Sequence, residues 1–209
     1  MSQGQKNVVL IAGPTASGKS AAALALAEAA NGVVINADAL QVYSDLRILT
    51  ARPSADHLAL VPHQLYGHVP AHESWSVARW LEDARRTIAS CWAEGLLPIV
   101  TGGTGLYFQA LEQGLAYVPE IPLALRKDIR ERLLRDGAEA LHSDLVRIDP
   151  TEGLRVRSSD GQRVARALEV VLGTGQPLTY WHARSQADAP LAGARCLRFY
   201  LEWTRNELY

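Results

Sequence analysis

One stretch, residues 13–20, constrains the fold of this chain more than any other. It reads Gly-Pro-Thr-Ala-Ser-Gly-Lys-Ser and matches the pattern G-x-x-x-x-G-K-[ST]. An apolar run at residues 8–12 precedes it, and an alanine-rich run at residues 21–30 follows it. This order predicts a strand, a glycine-rich loop and a helix, which is the context that a phosphate-binding loop (P-loop) requires.

The chemistry of the P-loop follows from its glycines and its last two residues. Gly13 and Gly18 allow the backbone to curl until successive N–H groups point into one concavity, where the following helix adds its positive dipole end. Lys19 adds a positive charge, and the Ser20 hydroxyl is the expected ligand of a phosphate-bound Mg²⁺. The expected diphosphate- or nucleotide-binding residues are Gly13, Pro14, Thr15, Ala16, Ser17, Gly18, Lys19 and Ser20.

Composition limits the classes to which the chain can belong. Its 209 residues, 48% of them hydrophobic, suffice for one α/β domain with an insertion. A formal net charge of −1 excludes an overall basic field that would indicate nucleic-acid binding by composition alone. Cys91 and Cys196 show no metal or redox spacing, which favours a reduced, cytoplasmic protein. Because no apolar run reaches membrane-spanning length, we expect no membrane partner. We also expect a monomer.

Two further predicted strands end in residues that can carry chemistry. Residues 33–35 lead to Asp38, and residues 96–100 lead to the glycine-rich residues 101–105. Together with the P-loop, three strand ends meet at one edge of the sheet, where open α/β proteins bind their ligands. The Asp38 carboxylate can hold the hydration shell of Mg²⁺ or accept a proton from a nucleophile, and it can also simply cap a helix at Ala39.

Several other polar residues are weaker candidates. The Thr104 hydroxyl can donate to a phosphate oxygen or a leaving group, although a tight strand-to-helix turn explains the surrounding glycines about as well. Possible phosphate contacts through a planar donor fork are Arg52, Arg126, Arg163 and Arg166, but any single arginine is more often a solvated helix residue.

The second half of the chain predicts an inserted helical unit. Residues 125–140 form an arginine-rich amphipathic helix pattern, and residues 162–172 form a second one that Gly173 ends. Residues 177–193 indicate an irregular, exposed segment. The alternating residues 196–202 then predict a strand that rejoins the sheet.

These elements predict a P-loop NTPase-like, three-layer α/β/α fold with a parallel sheet and an inserted helical domain. The expected bounds are 1–117 for the core domain, 118–193 for the insertion and 194–209 for the return strand. Residues 205–209 predict the first turn of a further helix.

As a set, these motifs resemble the tRNA dimethylallyltransferase (tRNA isopentenyltransferase) family over nearly the whole chain. Residues 13–20 resemble its G-P-T-A-S-G-K-[ST] loop, and residues 36–43 resemble its D-S-x-Q-x-Y segment. Residues 50–53 resemble T-A-K-P, and residues 102–107 resemble G-G-T-G-L-Y. The stretches that resemble the inserted domain of the family are Asp149-Pro150, Gln162-Arg163, residues 166–169 and residues 174–177.

The resemblance implies a prenyl transfer. In the family, a dimethylallyl group moves from dimethylallyl diphosphate to the exocyclic amine of the adenosine beside the anticodon, in tRNAs that read codons beginning with U. The resemblance implies that the P-loop holds the diphosphate with Mg²⁺, that Asp38 is the general base, and that Thr104 is a catalytic residue contacting substrate. The implied tRNA-binding residues are Asp38, Ala39, Leu40, Gln41, Thr104, Arg126, Gln162, Arg163, Val164, Ala165 and Arg166.

The chain departs from the family pattern in three places. Asp45, Arg47 and Leu49 lie in a segment where the family usually has glycines and an aspartate. Ala39 stands where a serine is frequent. Family members also continue well past Tyr209, so we expect this chain to be truncated at its C-terminus.

Three other functions stay open from the sequence. A small-molecule P-loop kinase would use the same loop for ATP, with Asp38 as a Mg²⁺ or hydroxyl partner. A prenyltransferase that acts on AMP would use the same donor with a smaller acceptor. An inactive P-loop module would bind diphosphate without turnover.

Overall fold

A computed structural model describes residues 5–184 and 189–203 of the chain. The chain divides into two compact units, one formed by Met1–Gly114 with Asp188–Tyr209 and the other by Leu115–Ala187. The second unit begins and ends slightly before the insertion that the sequence predicts at 118–193. The predicted helical turn at 205–209 lies outside the described residues.

The first unit is built on a parallel sheet. Its strands are β1 (Asn7–Ala12), β2 (Gly32–Asn36), β3 (His63–Gln64), β4 (Leu97–Gly102) and β5 (Arg195–Tyr200). They form one sheet in the order β3-β2-β4-β1-β5, and every neighbouring pair is parallel. The predicted α/β class is therefore confirmed, and so are the strands expected at β1, β2, β4 and β5. The adjacent strands β2, β4 and β1 carry their three predicted functional tips to the same edge.

The helices of this unit follow the strands that they cover. They are α1 (Lys19–Ala30), α2 (Ala55–Leu60), α3 (Val77–Ala93) and α4 (Gly105–Gln113). The helix α3 starts after Ser76, whose hydroxyl accepts the N–H of Arg79. The helix α1 starts at Lys19, directly after the P-loop glycine, so its N-terminal N–H groups open toward the loop.

Both faces of the sheet are covered, as expected for parallel strands. On one face, Val9 and Ile11 pack against Ala23 and Ala27 of α1, whose small side chains permit close approach. On the other face α3 packs against β2 and β4, with Ile88 fully buried. The buried residues of the hydrophobic cluster on the α1 face of the sheet are Val9, Ile11, Ala23, Ala27, Val34, Val61 and Ile99. The sheet is therefore buried between helices on both faces.

The regular secondary structure in the described part of the second unit is helical. Its helices are α5 (Leu123–Ile148), α6 (Pro150–Arg155), α7 (Gly161–Thr174) and α8 (Leu178–Arg184). Gly137, with φ 82° and ψ 170°, breaks α5 into two segments, so the predicted end near residue 140 lies close to this kink. The core of the unit is formed by α5 and α7 and contains Ile129, Leu141, Leu145, Val164, Ala165, Ala167 and Leu168.

Two predictions in this unit are wrong. Gly173 does not end α7, because it lies inside the helix against Ile121, and Gly175 ends it with φ 69°. The segment 177–193 is not wholly irregular, because α8 occupies Leu178–Arg184. Asp160 is the N-cap of α7, since its carboxylate accepts the N–H of Arg163.

Among the described residues, no helix combines the length and the apolar character that crossing a membrane would need.

Candidate active site

The P-loop connects β1 to α1 in a conformation that needs its glycines. Gly18 adopts φ 83° at the start of α1, in the left-handed region that favours glycine. A Cβ atom on Gly13 would lie 2.8 Å from the Leu201 carbonyl oxygen and 2.8 Å from the Ser17 hydroxyl oxygen, so no larger residue fits there. Ala16 also has a positive φ of 68°, which is unusual for alanine. The loop is thus held in one specific curled shape.

Lys19 is the charged group of this loop. Its Nζ donates to the Pro14 carbonyl oxygen at 2.8 Å, so the side chain folds back over the loop. Partial burial lowers the pKa of Lys19, and the negative charge of Asp38 opposes this by raising it. The two charges, from the ends of different strands, are therefore close enough to interact.

Leu201 and Trp203, which follow β5, form hydrogen bonds to the end of β1 and to the P-loop. The Leu201 N–H donates to the Ala12 carbonyl oxygen at 2.8 Å, which extends the β1–β5 pairing up to the loop. The Trp203 indole N–H donates to the Ser17 carbonyl oxygen at 3.1 Å. The Ser17 hydroxyl is buried and has no hydrogen-bond partner among residues 5–184 and 189–203.

Asp38 lies just beyond β2, with its carboxylate turned toward the P-loop. Its Oδ1 accepts the N–H of Leu40 at 2.9 Å. Residues 39–42 form turns, so the interpretation of Asp38 as the cap of a helix at Ala39 is wrong. A Cβ atom placed on Gly103 would be 3.6 Å from Asp38 Oδ2 and 3.8 Å from the Gly13 carbonyl oxygen. The carboxylate, the β4 tip and the P-loop therefore border the same small space.

Thr104 ties the tip of β4 to the tip of β2. Its Oγ1 accepts the N–H of Ala39 at 3.0 Å, and its own N–H donates to the Ala37 carbonyl oxygen at 3.1 Å. Gly102 is packed so tightly on Ala37 that an added Cβ would lie 2.2 Å from the Ala37 carbonyl carbon. Because Thr104 Oγ1 acts as an acceptor toward Ala39, its hydroxyl hydrogen is available to donate to another group.

Two tyrosines share the surroundings of Asp38. Burial raises the pKa of Tyr66, and the Asp38 charge raises it further. Burial, then Tyr43 and Asp38, raise the pKa of Tyr107 to about 12. The Tyr107 ring also stacks on Trp80 at 4.1 Å between centroids. Both phenols therefore stay protonated at neutral pH, when they can act as donors.

A pocket of about 290 Å³ opens between the P-loop and the β4 tip. Its lining combines glycine backbone with apolar side chains, from Ala12, Gly13, Pro14, Gly103, Gly105, Phe108 and Tyr200. A larger cavity of about 700 Å³ lies near the amino ends of β1 and β4, beside Asn7, Trp92 and Leu97. The larger cavity contains none of the predicted site residues, whereas the smaller one is lined by the P-loop itself.

The segment after Asp38 is fixed by its own hydrogen bonds. Gln41 Nε2 donates to the Thr50 carbonyl oxygen at 2.8 Å. Arg52 donates to the carbonyl oxygens of Tyr43 and Ser44 at 2.9 and 3.0 Å, so its guanidinium stabilises the loop.

The three residues of this segment that depart from the family pattern, Asp45, Arg47 and Leu49, have different surroundings. Asp45 accepts the Ser44 hydroxyl at 2.7 Å and the Ala71 N–H at 3.0 Å, and both hydrogen bonds lower its pKa and fix this turn. Arg47 and Leu49 are exposed, as is Leu40 in the preceding turn.

In the second unit, the predicted arginines lie beside carboxylates. Arg126 Nε lies 3.8 Å and Arg166 Nη1 lies 3.4 Å from the same oxygen, Oε2 of Glu169. The Glu169 side chain is only 6% exposed, so one nearly buried carboxylate serves two partly exposed guanidinium groups. Arg163 pairs with Asp160 at 3.2 Å.

The other predicted residues of α7 divide by burial. Gln162 is exposed, as Arg163 and Arg166 are. Val164 and Ala165 are buried in the core between α5 and α7, so their side chains contribute to packing.

The residues of the first unit fit a metal held jointly with a ligand. Within residues 5–184 and 189–203, no group of three or more His, Cys, Asp or Glu side chains could hold a metal ion alone. The Ser20 side chain is exposed in the first turn of α1, beside Lys19. A hydroxyl in this place suits an ion whose other ligands are phosphate oxygens and water.

Two protein-family models match stretches of this chain. The model of the family described as IPP transferase matches residues 41–209, and that described as isopentenyl transferase matches residues 6–64. The chain belongs to the IPP transferase family. The family resemblance indicated by the sequence motifs is thereby confirmed.

Curated members of the IPP transferase family are similar over most of this chain. A protein named tRNA dimethylallyltransferase from Nitrobacter hamburgensis is 56% identical over 179 residues, covering 86% of this chain and 56% of the relative. One of the same name from Azorhizobium caulinodans is 54% identical over 200 residues, covering 96% and 64% respectively. The chain thus spans between half and two thirds of the length of these relatives.

Solved structures of family members share the fold. A eukaryotic dimethylallyltransferase acting on tRNA has a TM-score of 0.77 and 28% identity, covering 94% of this chain and 48% of that one. The tRNA isopentenylpyrophosphate transferase of Bacillus halodurans has a TM-score of 0.54 and 35% identity, covering 83% and 57%. The predicted fold class is consistent with these neighbours.

Sequence reasoning missed four residues that the structure brings to the site. Asn36 holds the backbone of Asp38, the Trp80 indole donates to the Asn36 carbonyl oxygen, and Tyr66 follows the two-residue strand β3. Trp203 reaches the P-loop from 186 positions later in the chain. Only Asn36 carried a usable signal, because a polar side chain at the end of a fully buried strand requires hydrogen-bond partners.

Proposed function

We propose that this chain carries the donor site and catalytic base of a tRNA dimethylallyltransferase. The observation that supports this most strongly is the convergence of the Asp38 carboxylate and the Lys19 loop on one space beside Gly103. The names of the curated relatives and of the solved neighbours agree with this chemistry.

The P-loop binds the diphosphate end of dimethylallyl diphosphate. Its N–H groups and the N-terminus of α1 favour an anion, and Lys19 adds a full positive charge. Mg²⁺, held by the Ser20 hydroxyl and the phosphate oxygens, supplies further charge stabilisation when it is bound. The apolar walls at Phe108 and Tyr200 suit the short hydrocarbon chain of the donor.

Asp38 acts as the general base on the acceptor. The exocyclic nitrogen of adenosine forms a bond to the first carbon of the allyl group while the bond from that carbon to the diphosphate oxygen breaks. The bonding electrons leave with the diphosphate, whose developing charge Lys19 and the loop N–H groups stabilise. The amine proton passes to the Asp38 carboxylate, which Leu40 N–H holds in place.

Thr104 completes the site from the tip of β4. Its hydroxyl oxygen is held by the Ala39 N–H, which leaves the hydroxyl hydrogen available to donate to a ligand. This hydroxyl donates to the diphosphate oxygen that leaves, which requires no movement of the side chain at the moment of reaction.

The acceptor is the adenosine beside the anticodon in tRNAs that read codons beginning with U. An unpaired anticodon loop lets a base leave its stack at small cost, which a reaction on a base edge requires. Ala39, Leu40 and Gln41 contact the RNA in the first unit, while Arg126, Gln162, Arg163 and Arg166 contact its phosphates in the second.

The free thiols of Cys91 and Cys196 agree with a cytoplasmic protein.

Mass spectrometry of RNA tests the proposal. Unmodified tRNA, AMP and a mixture of ATP with small alcohols are each incubated with the 209-residue chain, dimethylallyl diphosphate and Mg²⁺. We expect one dimethylallyl group on a single adenosine of the tRNA. Modification of AMP alone would indicate an AMP prenyltransferase, consumption of ATP would indicate a kinase, and binding of diphosphate without any product would indicate an inactive module.

A further inference from the structure

Asn36 occupies the last position of β2, two residues before Asp38, and its side chain is fully buried. Its Oδ1 accepts the N–H of Asp38 at 2.9 Å, and its Nδ2 donates to the Asp38 carbonyl oxygen at 3.0 Å. One side-chain amide therefore holds both backbone groups of the proposed base.

The same amide also reaches the residue that follows the neighbouring strand β3. Asn36 Nδ2 donates to the carbonyl oxygen of Leu65 at 3.0 Å. Leu65 has φ 64°, a left-handed conformation that is unusual for a leucine and needs support from its surroundings. Tyr66, whose phenol lies in the field of Asp38, follows directly. The amide thus joins the end of β2 to the residue that follows β3.

Asn36 is itself held firmly. The indole N–H of the fully buried Trp80 donates to the Asn36 carbonyl oxygen at 2.8 Å. Oδ1 and both hydrogens of Nδ2 are used in the three hydrogen bonds described above. A buried amide with every group satisfied and two of its bonds on one residue restricts the direction in which that residue can point.

We propose that Asn36 is a positioning residue for the transfer reaction, which sets the direction of the Asp38 carboxylate and contacts neither substrate. This inference rests on the proposed function of Asp38. Two variants separate its hydrogen bonds from its volume. Asn36→Ala removes all three bonds, whereas Asn36→Asp keeps the shape and one acceptor but sets a carboxylate against two carbonyl oxygens. Both are expected to release Asp38.

A matched control removes buried material elsewhere in the same unit. Ile88→Val deletes one methyl group from the buried face of α3 and lowers the thermal stability without altering any bond of Asp38. Comparing variants at equal distance below their melting temperatures separates loss of stability from loss of geometry.

The decisive experiment measures two quantities for each variant. They are the Kd of dimethylallyl diphosphate and the kcat on an unmodified anticodon stem-loop RNA. Because a displacement of about 1 Å in a reacting group costs roughly 100-fold, kcat should fall about 100-fold in both Asn36 variants. The Kd of dimethylallyl diphosphate should stay unchanged, because the P-loop makes no bond to Asn36. An unchanged kcat in Asn36→Ala, or an equal fall in Ile88→Val, would overturn the inference.

A second readout keeps the inference testable if the wild-type chain transfers no prenyl group, in which case the proposed function fails for this chain. Hydrogen exchange of the Leu40 N–H reports its bond to Asp38 Oδ1 directly. Selective loss of protection at Leu40 in Asn36→Ala, with Ala22 N–H in α1 still protected, supports a positioning role. Retained protection at Leu40 would overturn it.

Discussion

The two units of this protein hold their functional side chains by different means. In the first unit, the Asn36 side chain and the Leu40 N–H hold Asp38, and the Ala39 N–H holds the Thr104 hydroxyl. In the second unit, Arg126 and Arg166 lie on a helical surface and share the single carboxylate of Glu169. Backbone bonds fix position, whereas ion pairs of partly exposed arginines can exchange partners. We infer that the first unit supplies geometry for chemistry and the second supplies charge for RNA binding.

The proposed difference between the two units is tested most directly at Asp38. Asp38→Asn keeps the size of the side chain and its bond to the Leu40 N–H but removes the proton acceptor, so the transfer rate should fall about 10²- to 10⁴-fold. Single-turnover kinetics with labelled dimethylallyl diphosphate measure this rate. Donor affinity serves as the control and should be preserved, and a rate equal to that of the wild type would remove Asp38 from the role of base.

The second largest effect is expected at Lys19. Lys19→Gln removes a charged donor worth roughly 1.5–3 kcal/mol, so the Kd of dimethylallyl diphosphate should rise about 10- to 100-fold. The same affinity should weaken in the wild type as pH rises, because deprotonation removes the positive charge. Burial lowers the pKa of Lys19, so this loss begins at a lower pH than for an ordinary lysine.

The matched control for this change is Lys6→Gln, since Lys6 is exposed at the opposite end of β1. Isothermal titration calorimetry of both variants gives the comparison. Equal losses in the two variants would mean that diphosphate affinity follows net charge and not the P-loop.

A smaller effect is expected at Thr104. Thr104→Val leaves the Ala39 N–H without its acceptor, which costs roughly 1–3 kcal/mol and loosens the contact between the tips of β4 and β2. The rate should fall about 10-fold, while Thr104→Ser, which keeps the hydroxyl, should stay near the wild type. If valine and serine gave the same rate, the hydroxyl would have no part in the reaction.

The smallest effects are expected in the second unit. Arg126→Ala or Arg166→Ala should weaken tRNA binding similarly for all sequences and reduce the slope of log K against log salt concentration by about 1. Filter binding across a salt series measures this slope. The control is Arg135→Ala, a charge-matched exposed arginine that pairs with Asp136 at 2.8 Å. An equal change in slope for Arg135 would mean that RNA does not recognise the predicted positions.

What the sequence predicts well in this protein is local. The order of strand, glycine loop and helix in β1 and α1 is contiguous, so a motif suffices to place Lys19 and Ser20. Asp38 and Thr104 follow buried strands directly, and parallel topology brings strand ends to a common edge.

The contacts that sequence reasoning missed are long-range or too short to show a pattern. Trp203 and the P-loop are separated in sequence by the whole second unit, so no local pattern predicts their contact. The strand β3 has two residues, fewer than alternation requires, so Tyr66 could not be placed. Gly173 looked like a helix end because glycine favours that position, but packing against Ile121 keeps it within α7.

The most direct test of the central claim is a crystal structure of the chain with a slowly reacting thio-diphosphate analogue of the donor and Mg²⁺. The account predicts the diphosphate within hydrogen-bond distance of the N–H groups of residues 13–20, Lys19 Nζ turned from Pro14 toward it, and the Asp38 carboxylate facing the first allylic carbon. A diphosphate bound elsewhere, or an Asp38 carboxylate directed away from that carbon, would contradict it.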